Sequence, residues 1–412
     1  MANNYQNIGK KSIAYYLVMV TISIFIIISI VINGPFFTFV NAIDNMKIKF
    51  ILLAFSSSIF LILIASRRKN LFNNRAFLSE SKWFLGAVAI LVIITIFYQV
   101  MNGFRSFVIA EFLYLLLPIL FVILVVSTDS YSITRVLDNC FYILIIAFIL
   151  CNIDTLTPSA IASIKFSESF SPFESSSSII FVCFELYFLI RYGKRNGKSL
   201  VCLLLTVLTL KRFCVIKAVL FFIFVPMIKN KKLPRWIFVL VIIFFCALPF
   251  LLEYIYSYDF ALLMLTKYGT DLNDLTMDRY RRISYVISHM DQIKYGFGSA
   301  TYFLTNNLSG VRLVNRSLHS DILRIYLECS FIGSFGFTIC NFAAVRKNVV
   351  SFLLMFHVFT EMIVNHPLGA GNVGNWIIIY LMIVYFNYRK VIPFYKEGQL
   401  KRKRIKIGRI MI

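Results

Sequence analysis

Acidic residues are scarce in this sequence, 19 Asp and Glu against 42 Lys and Arg, and charge of either sign makes up only 15% of the chain. Soluble domains carry about a quarter charged residues, so an ordinary water-facing surface is excluded. Histidine is scarcer still, with four in 412 residues. The long polar interval 253–320 has no cysteine. All eight cysteines (140, 151, 183, 202, 214, 246, 329 and 340) lie inside or at the ends of apolar runs. That placement excludes a disulfide framework and any metal-ligand spacing, and it reads as small buried hydrophobes. No internal repeat is visible, and neither a detachable soluble domain nor a cleavable signal peptide is expected. The first apolar run follows Lys10-Lys11 and is long enough to remain as an anchor.

What fills the chain instead is hydrophobe. Apolar residues are 59% of the sequence and the mean hydropathy is +0.79. A spanning helix needs about 20 apolar residues, and many such runs are present. A net charge of +23 suggests nucleic acid in a soluble protein. Here the basic residues crowd the loops on one side and the C-terminal tail, which is the positive-inside pattern, so no nucleic-acid partner is expected.

Taken in order, spans are expected at 13–32, 48–65, 83–101, 107–126, 140–150 and 177–190. Arg67-Arg68-Lys69 and the cluster Arg191, Lys194, Arg195 and Lys198 mark cytoplasmic loops. The apolar stretch 199–228 is basic at both ends and carries Lys211, Arg212 and Lys217 near its centre. Two basic ends require a hairpin of two short arms. Arms of about 15 residues reach roughly 22 Å, less than the bilayer core, so the turn with Lys211 and Arg212 is expected below the outer surface. Those side chains either snorkel to the headgroups or form an anion site facing an outer cavity. Spans at 236–252, 322–345, 349–364 and 375–387 complete an all-α polytopic membrane protein of about 12 transmembrane helices, read as a single domain over 1–412 with both termini inside. A partly helical outer loop, 253–320, separates spans nine and ten. The tail 389–412 holds nine Lys and Arg against one Glu and is expected to rest on anionic lipid headgroups.

The outer loop carries the chemistry. Asp278-Arg279-Tyr280-Arg281-Arg282 opens an expected amphipathic helix to about residue 290. Arginine suits a phosphate because its planar fork stays charged and binds bidentately, though Asp278–Arg282 also fits an i,i+4 surface pair. Tyr295-Gly296-Phe297-Gly298-Ser299 contains only Gly-x-Gly, which supports a turn rather than a phosphate loop. His319, two residues before Asp321, is a candidate base or orienting donor; His289, His357 and His366 are weaker candidates. Asp271-x-x-Asp274 lacks a third ligand and reads as a solvated turn. Glu111 and Glu185, inside apolar runs, are candidate partners for buried cations, Lys217 among them.

With those residues in view, the chain resembles the O-antigen polymerase and O-antigen ligase group of bacterial envelope glycosyltransferases. The likeness lies in the roughly 12-span plan with a late outer loop. It also lies in Thr209-Leu210-Lys211-Arg212, in the arginine helix before Gly296-Phe297-Gly298, and in His319-Ser-Asp-Ile-Leu-Arg-Ile-Tyr-Leu-Glu328-x-x-x-Ile-Gly333. The last departs from the group's pattern at Cys329-Ser330, where a glycine is commoner. The resemblance covers about 208–336 and implies a GT-C-like fold in the bacterial inner membrane. It implies a metal-independent transferase of lipopolysaccharide biosynthesis, without cofactor, whose site faces the periplasm. Donor and acceptor are undecaprenyl-diphosphate-linked oligosaccharides, and a chain-length regulator is a further candidate partner. Carried over, Arg212 and one of Arg279, Arg281 and Arg282 hold the donor diphosphate, with Lys211 beside them, and His319 serves the acceptor hydroxyl. Polymerase and ligase share these motifs, and the short Phe-, Ile- and Tyr-rich chain looks more like a polymerase. A lipid-linked oligosaccharide flippase is the rival from another class, although its charges would be spread along a pathway and repeats are common in such proteins.

Overall fold

The structure, a computed structural model, describes residue 23 and residues 75–126, 130–165, 171–175, 177–228, 233–276, 279–307, 318–368 and 373–388. The span at 48–65, all of the span at 13–32 except helical Ser23, the basic cluster 67–69, Asp278 and the tail 389–412 lie outside the described residues. Among the described residues the fold is all-helical. The elements are α1 (Arg75–Asn102), α2 (Phe107–Val126), α3 (Ser130–Cys151), α4 (Pro158–Ala162), α5 (Ser177–Tyr192), α6 (Gly197–Thr209), α7 (Arg212–Phe224) and α8 (Arg235–Ile255). They continue as α9 (Tyr258–Tyr268), α10 (Leu272–Thr276), α11 (Arg279–Ser288), α12 (Ser299–Asn307), α13 (Asp321–Val345), α14 (Val349–Val364) and α15 (Val373–Tyr388).

Three of these are long and apolar enough to cross a membrane: Lys82–Asn102 and Arg235–Ile255, of 21 residues each, and Asp321–Val345, of 25. At 1.5 Å per residue they reach about 32 and 38 Å, against about 30 Å of hydrocarbon. On α8, Trp236, Leu240, Ile243, Phe244 and Leu251 are all at least half exposed and recur at helical spacing. A continuous apolar stripe of that kind is a liability in water.

The chain divides into two compact units, one of residues 1–74, 121–231 and 374–412, the other of 75–120 and 232–373. In the first, α3 and α5 pack through Phe141, Phe184 and Phe188, with the Phe141 and Phe188 rings edge-on at 4.6 Å. Buried Arg191 on α5 pairs with Asp138 on α3 and hydrogen-bonds the Tyr187 hydroxyl. The expected hairpin is here. Helices α6 and α7, 13 residues each, break at Leu210, which takes the left-handed conformation at φ 50°, ψ 30°. The chain then doubles back: Arg195, just before α6, donates to the carbonyls of Phe222 and Ile223 at the end of α7. Each arm is about 20 Å long, shorter still than the sequence suggests.

In the second unit α13 is the central element. It packs on α1 through Gly333 and Gly336, where a Cβ would lie 3.2 Å from Ile94 Cδ1 and 2.6 Å from Ile90 Cδ1 respectively. Small residues of this kind let two helix backbones approach closely. On its other side α13 meets α8 and α14 through a cluster of Phe245, Phe342 and Phe359, with centroids 4.8–5.5 Å apart. The helix is broken at Ser330, at φ 59° and ψ 179°, a region open essentially to glycine alone.

Candidate functional site

The interval 253–320 is largely helical. Ser257 caps α9, its Oγ accepting from the Phe260 N–H, and Gly269 ends that helix at φ 64°. Asp271 accepts from the Asn273 N–H at 2.8 Å and is exposed, so it starts a turn, as the isolated Asp271-x-x-Asp274 pair suggests. The arginine helix α11 begins where Thr276 Oγ1 takes the Tyr280 N–H and Asn273 Oδ1 takes the Arg281 N–H, which satisfies amides that a helix start leaves open. It buries Ile283 and Val286, three residues apart on one face. Arg281 is exposed, while Arg279 and Arg282 are half-buried. Burial pushes the Tyr256 hydroxyl up at the end of α8, and the nearby Arg279 charge pulls it the other way.

Beyond α11 the chain turns through Gly296-Phe297-Gly298, and this turn is clasped on every side. The Tyr295 and Lys294 carbonyls accept from Gln99 and Asn102 at the end of α1. Thr95 Oγ1 on α1 accepts the Phe297 N–H at 3.0 Å. Both glycines have positive φ, 92° and 96°. A Cβ on Gly296 would sit 2.4 Å from Thr95 Cγ2 and 2.7 Å from its Cα, and one on Gly298 would sit 2.6 Å from Glu111 Cγ. Glycine is therefore required twice, for its conformation and for the space.

The amides after the turn point at an anion, and that anion is the chain's own. Gly298 N–H donates to Glu328 Oε2 at 2.7 Å and Ala300 N–H to Oε1 at 2.8 Å. Glu328 lies on α13, fully buried, one helical turn from Arg324 and two from Asp321, both also fully buried. The Arg324 guanidinium lies 3.5 Å from Asp321, 3.7 Å from Glu328 and 3.7 Å from Glu111 on α2. It also stacks over the Phe297 ring at 4.5 Å. Three carboxylates thus surround one guanidinium whose Nε and Nη2 make no hydrogen bond among the described residues. The cluster is held by charge more than by directed bonds, and the Gly-x-Gly amides are already occupied. They are not a phosphate cradle.

At the entrance to α13, His319 adopts φ 54° and is half-buried. Ser320 Oγ caps the helix by accepting from Leu323 N–H and reaches the Met362 carbonyl on α14. His366, just past α14, bonds Asp321 through Nδ1 at 2.6 Å. Lys211 and Arg212 sit in the first unit, at the N-cap and first residue of α7, immediately after the strained Leu210. The loop arginines and His319 belong to the second unit. Glu111, expected to meet a buried cation, meets Arg324. Glu185 is fully buried on α5, with no hydrogen bond to either oxygen from among the described residues.

Sequence reasoning passed over Arg324 and Glu328 as more than parts of a motif and set His366 aside. The signal was present: Asp321, Arg324 and Glu328 are spaced three and four apart in an apolar run, on one helical face, and ionisable groups in such a run mark function by default. What the sequence does not carry is that residues 111, 298 and 366 close around them. No family model, no curated protein and no solved structure matches the chain.

Proposed function

We propose that the chain is a polysaccharide polymerase of the bacterial inner membrane. It would transfer a growing glycan from a polyprenyl diphosphate to a lipid-linked repeat unit on the periplasmic face. In this reading it crosses the membrane 12 times with both termini cytoplasmic, and α9–α12 form the periplasmic loop. The exposed apolar stripe of α8 then faces lipid. The donor carries its own leaving group, so the protein supplies cations where negative charge grows and orients the incoming hydroxyl. The candidate cations for the diphosphate are Arg279, Arg281 and Arg282 in the second unit, and Lys211 and Arg212 are the first unit's candidates for that role; one such cation is worth a few kcal/mol of transition-state stabilisation. His319 orients the acceptor hydroxyl.

The observation that carries the reading is the bracing of α11 and His319 within one unit. The arginine helix runs into a glycine turn whose amides are gripped by Glu328, two helical turns below the entrance that His319 precedes. A second observation supports it. Among the described residues, the non-glycine residues in the left-handed region are Leu210, His319 and Ser330. Leu210 directly precedes Lys211-Arg212, and His319 is itself a candidate. Backbone strain of this kind concentrates at functional sites.

The purified chain in detergent, given lipid-linked repeat units, is expected to make longer lipid-linked products, and Arg212→Ala and His319→Ala are expected to make none while still inserting. No elongation by the wild type refutes the reading and favours a flippase, since no membrane needs crossing in that assay. Normal long chains from both variants refute the residue assignment.

A further inference from the structure

His366 belongs neither to the arginine set nor to the stretch that resembles the glycosyltransferases. Its Nδ1 lies 2.6 Å from Asp321 Oδ1, and the second carboxylate oxygen accepts the Leu368 N–H at 2.6 Å. Asp321 N–H in turn donates to the Asn365 carbonyl, so helix entrance and histidine loop are tied in both directions. The carboxylate is fully buried, whereas 19% of the His366 side chain remains exposed. A carboxylate beside a guanidinium can only accept, so Nδ1 carries the proton and Nε2 is the basic nitrogen. Arg324 Nη1 stands 3.4 Å from Nδ1 and 3.3 Å from Nε2. Such near-equal approach puts the guanidinium against the ring face, not in line with either nitrogen. Among the described residues, the charged groups around the ring include Asp321 and Arg324, with Glu111 and Glu328 on the other contacts of Arg324, and Glu361 of α14, which holds Asn365. His319 is two residues from Asp321, a Cα separation of at most about 7 Å, so two imidazoles attend one helix entrance.

We propose that His366, oriented by Asp321, is the catalytic base that takes the proton from the acceptor hydroxyl, a sugar hydroxyl of a lipid-linked saccharide. The inference rests on the transferase reading and deepens it, with His319 left to position the acceptor. As the acceptor oxygen bonds to the anomeric carbon, the bond from that carbon to the diphosphate oxygen breaks, and its electron pair leaves with the diphosphate. The hydroxyl proton moves to His366 Nε2. Asp321 holds the tautomer and faces the imidazolium that forms, which afterwards returns its proton to water. This is the division of labour of a carboxylate-oriented histidine, built from two helix ends.

The test is elongation of lipid-linked repeat units by the purified full chain in detergent. His366→Ala is expected to lower the rate about 100-fold or more, the usual worth of a positioned base. Added imidazole is expected to restore part of it, more so the more basic the substituted imidazole. Asp321→Asn is expected to lower it as well, by releasing the tautomer. Wild-type elongation with an unimpaired His366→Ala overturns the inference and leaves the transferase reading standing; no elongation by the wild type overturns both. A loss that imidazoles do not restore, or restore without regard to basicity, assigns His366 to packing and also overturns it. If His366→Ala does not fold, His366→Gln keeps a donor for Asp321. A lower kcat at unchanged KM then supports the inference, and an unchanged kcat overturns it.

Discussion

Replacing Glu328 by glutamine changes one atom, yet the geometry makes it a severe substitution. Both carboxylate oxygens are acceptors, Oε2 for Gly298 N–H at 2.7 Å and Oε1 for Ala300 N–H at 2.8 Å. The amide of glutamine offers one acceptor and one donor, so whichever way it turns, an N–H meets an N–H. A hydrogen bond to a charged group contributes about 1.5–3 kcal/mol, and leaving a buried donor unpaired costs about 1–3 kcal/mol. These overlap, and Arg324 also loses one of its three carboxylates, so local loosening of about 3 kcal/mol is expected. At 1.36 kcal/mol per tenfold that is roughly a 150-fold change in the opening equilibrium. Hydrogen exchange followed by peptide mass analysis in detergent reads it directly. Peptides covering 295–304 should exchange about 100-fold faster in Glu328→Gln, while those of α8 stay as in the wild type. Exchange within about threefold of wild type across 295–304 would mean that the amides do not rest on Glu328, and the account of the site would fail with it.

Three further substitutions probe the same core. Ser330→Gly removes a strained conformation worth about 1–3 kcal/mol against about 0.5–1 kcal/mol of added chain entropy. It should raise the thermal midpoint in detergent by a few degrees, and a lower midpoint would contradict the break at Ser330. Gly296→Ala should destabilise by about 3 kcal/mol or more, because its Cβ meets the backbone of Thr95 at 2.7 Å; protease sensitivity of the 253–320 interval measures the loss. Arg324→Met strips the cation from buried Asp321 and Glu328 and should cost about 3–5 kcal/mol, visible as a reduced folded fraction on size exclusion. A full yield of monodisperse protein would show that those carboxylates need no counter-charge.

Much of the helical order was legible because it follows from composition and period. Runs of apolar residues long enough to span, bounded by basic clusters, put helices at 83–101, 236–252 and 322–345, where α1, α8 and α13 lie. Two basic ends around 199–228 demanded a reversal, and Arg195 reaching the end of α7 is that reversal. The site was only half legible. His319 and the loop arginines stand out as polar residues in sequence, whereas Glu328 and Arg324 sit inside an apolar run and read first as pattern. His366 looked like loop chemistry because its partner, Asp321, is 45 positions away in the chain.

By itself the sequence determined that the chain is helical, with runs long and apolar enough to cross a membrane, where the hairpin turns, and that Gly296-x-Gly298 is a turn without the makings of a phosphate loop. Those properties depend on neighbours within a few residues, on hydropathy and on backbone steric limits. Only the tertiary structure decided what the turn is for. Residues 95, 111, 298 and 366 come from helices and loops other than α13, which carries 324 and 328, and a buried carboxylate must be matched by whichever cation and amides the packing brings within 4 Å, a condition that no local pattern encodes.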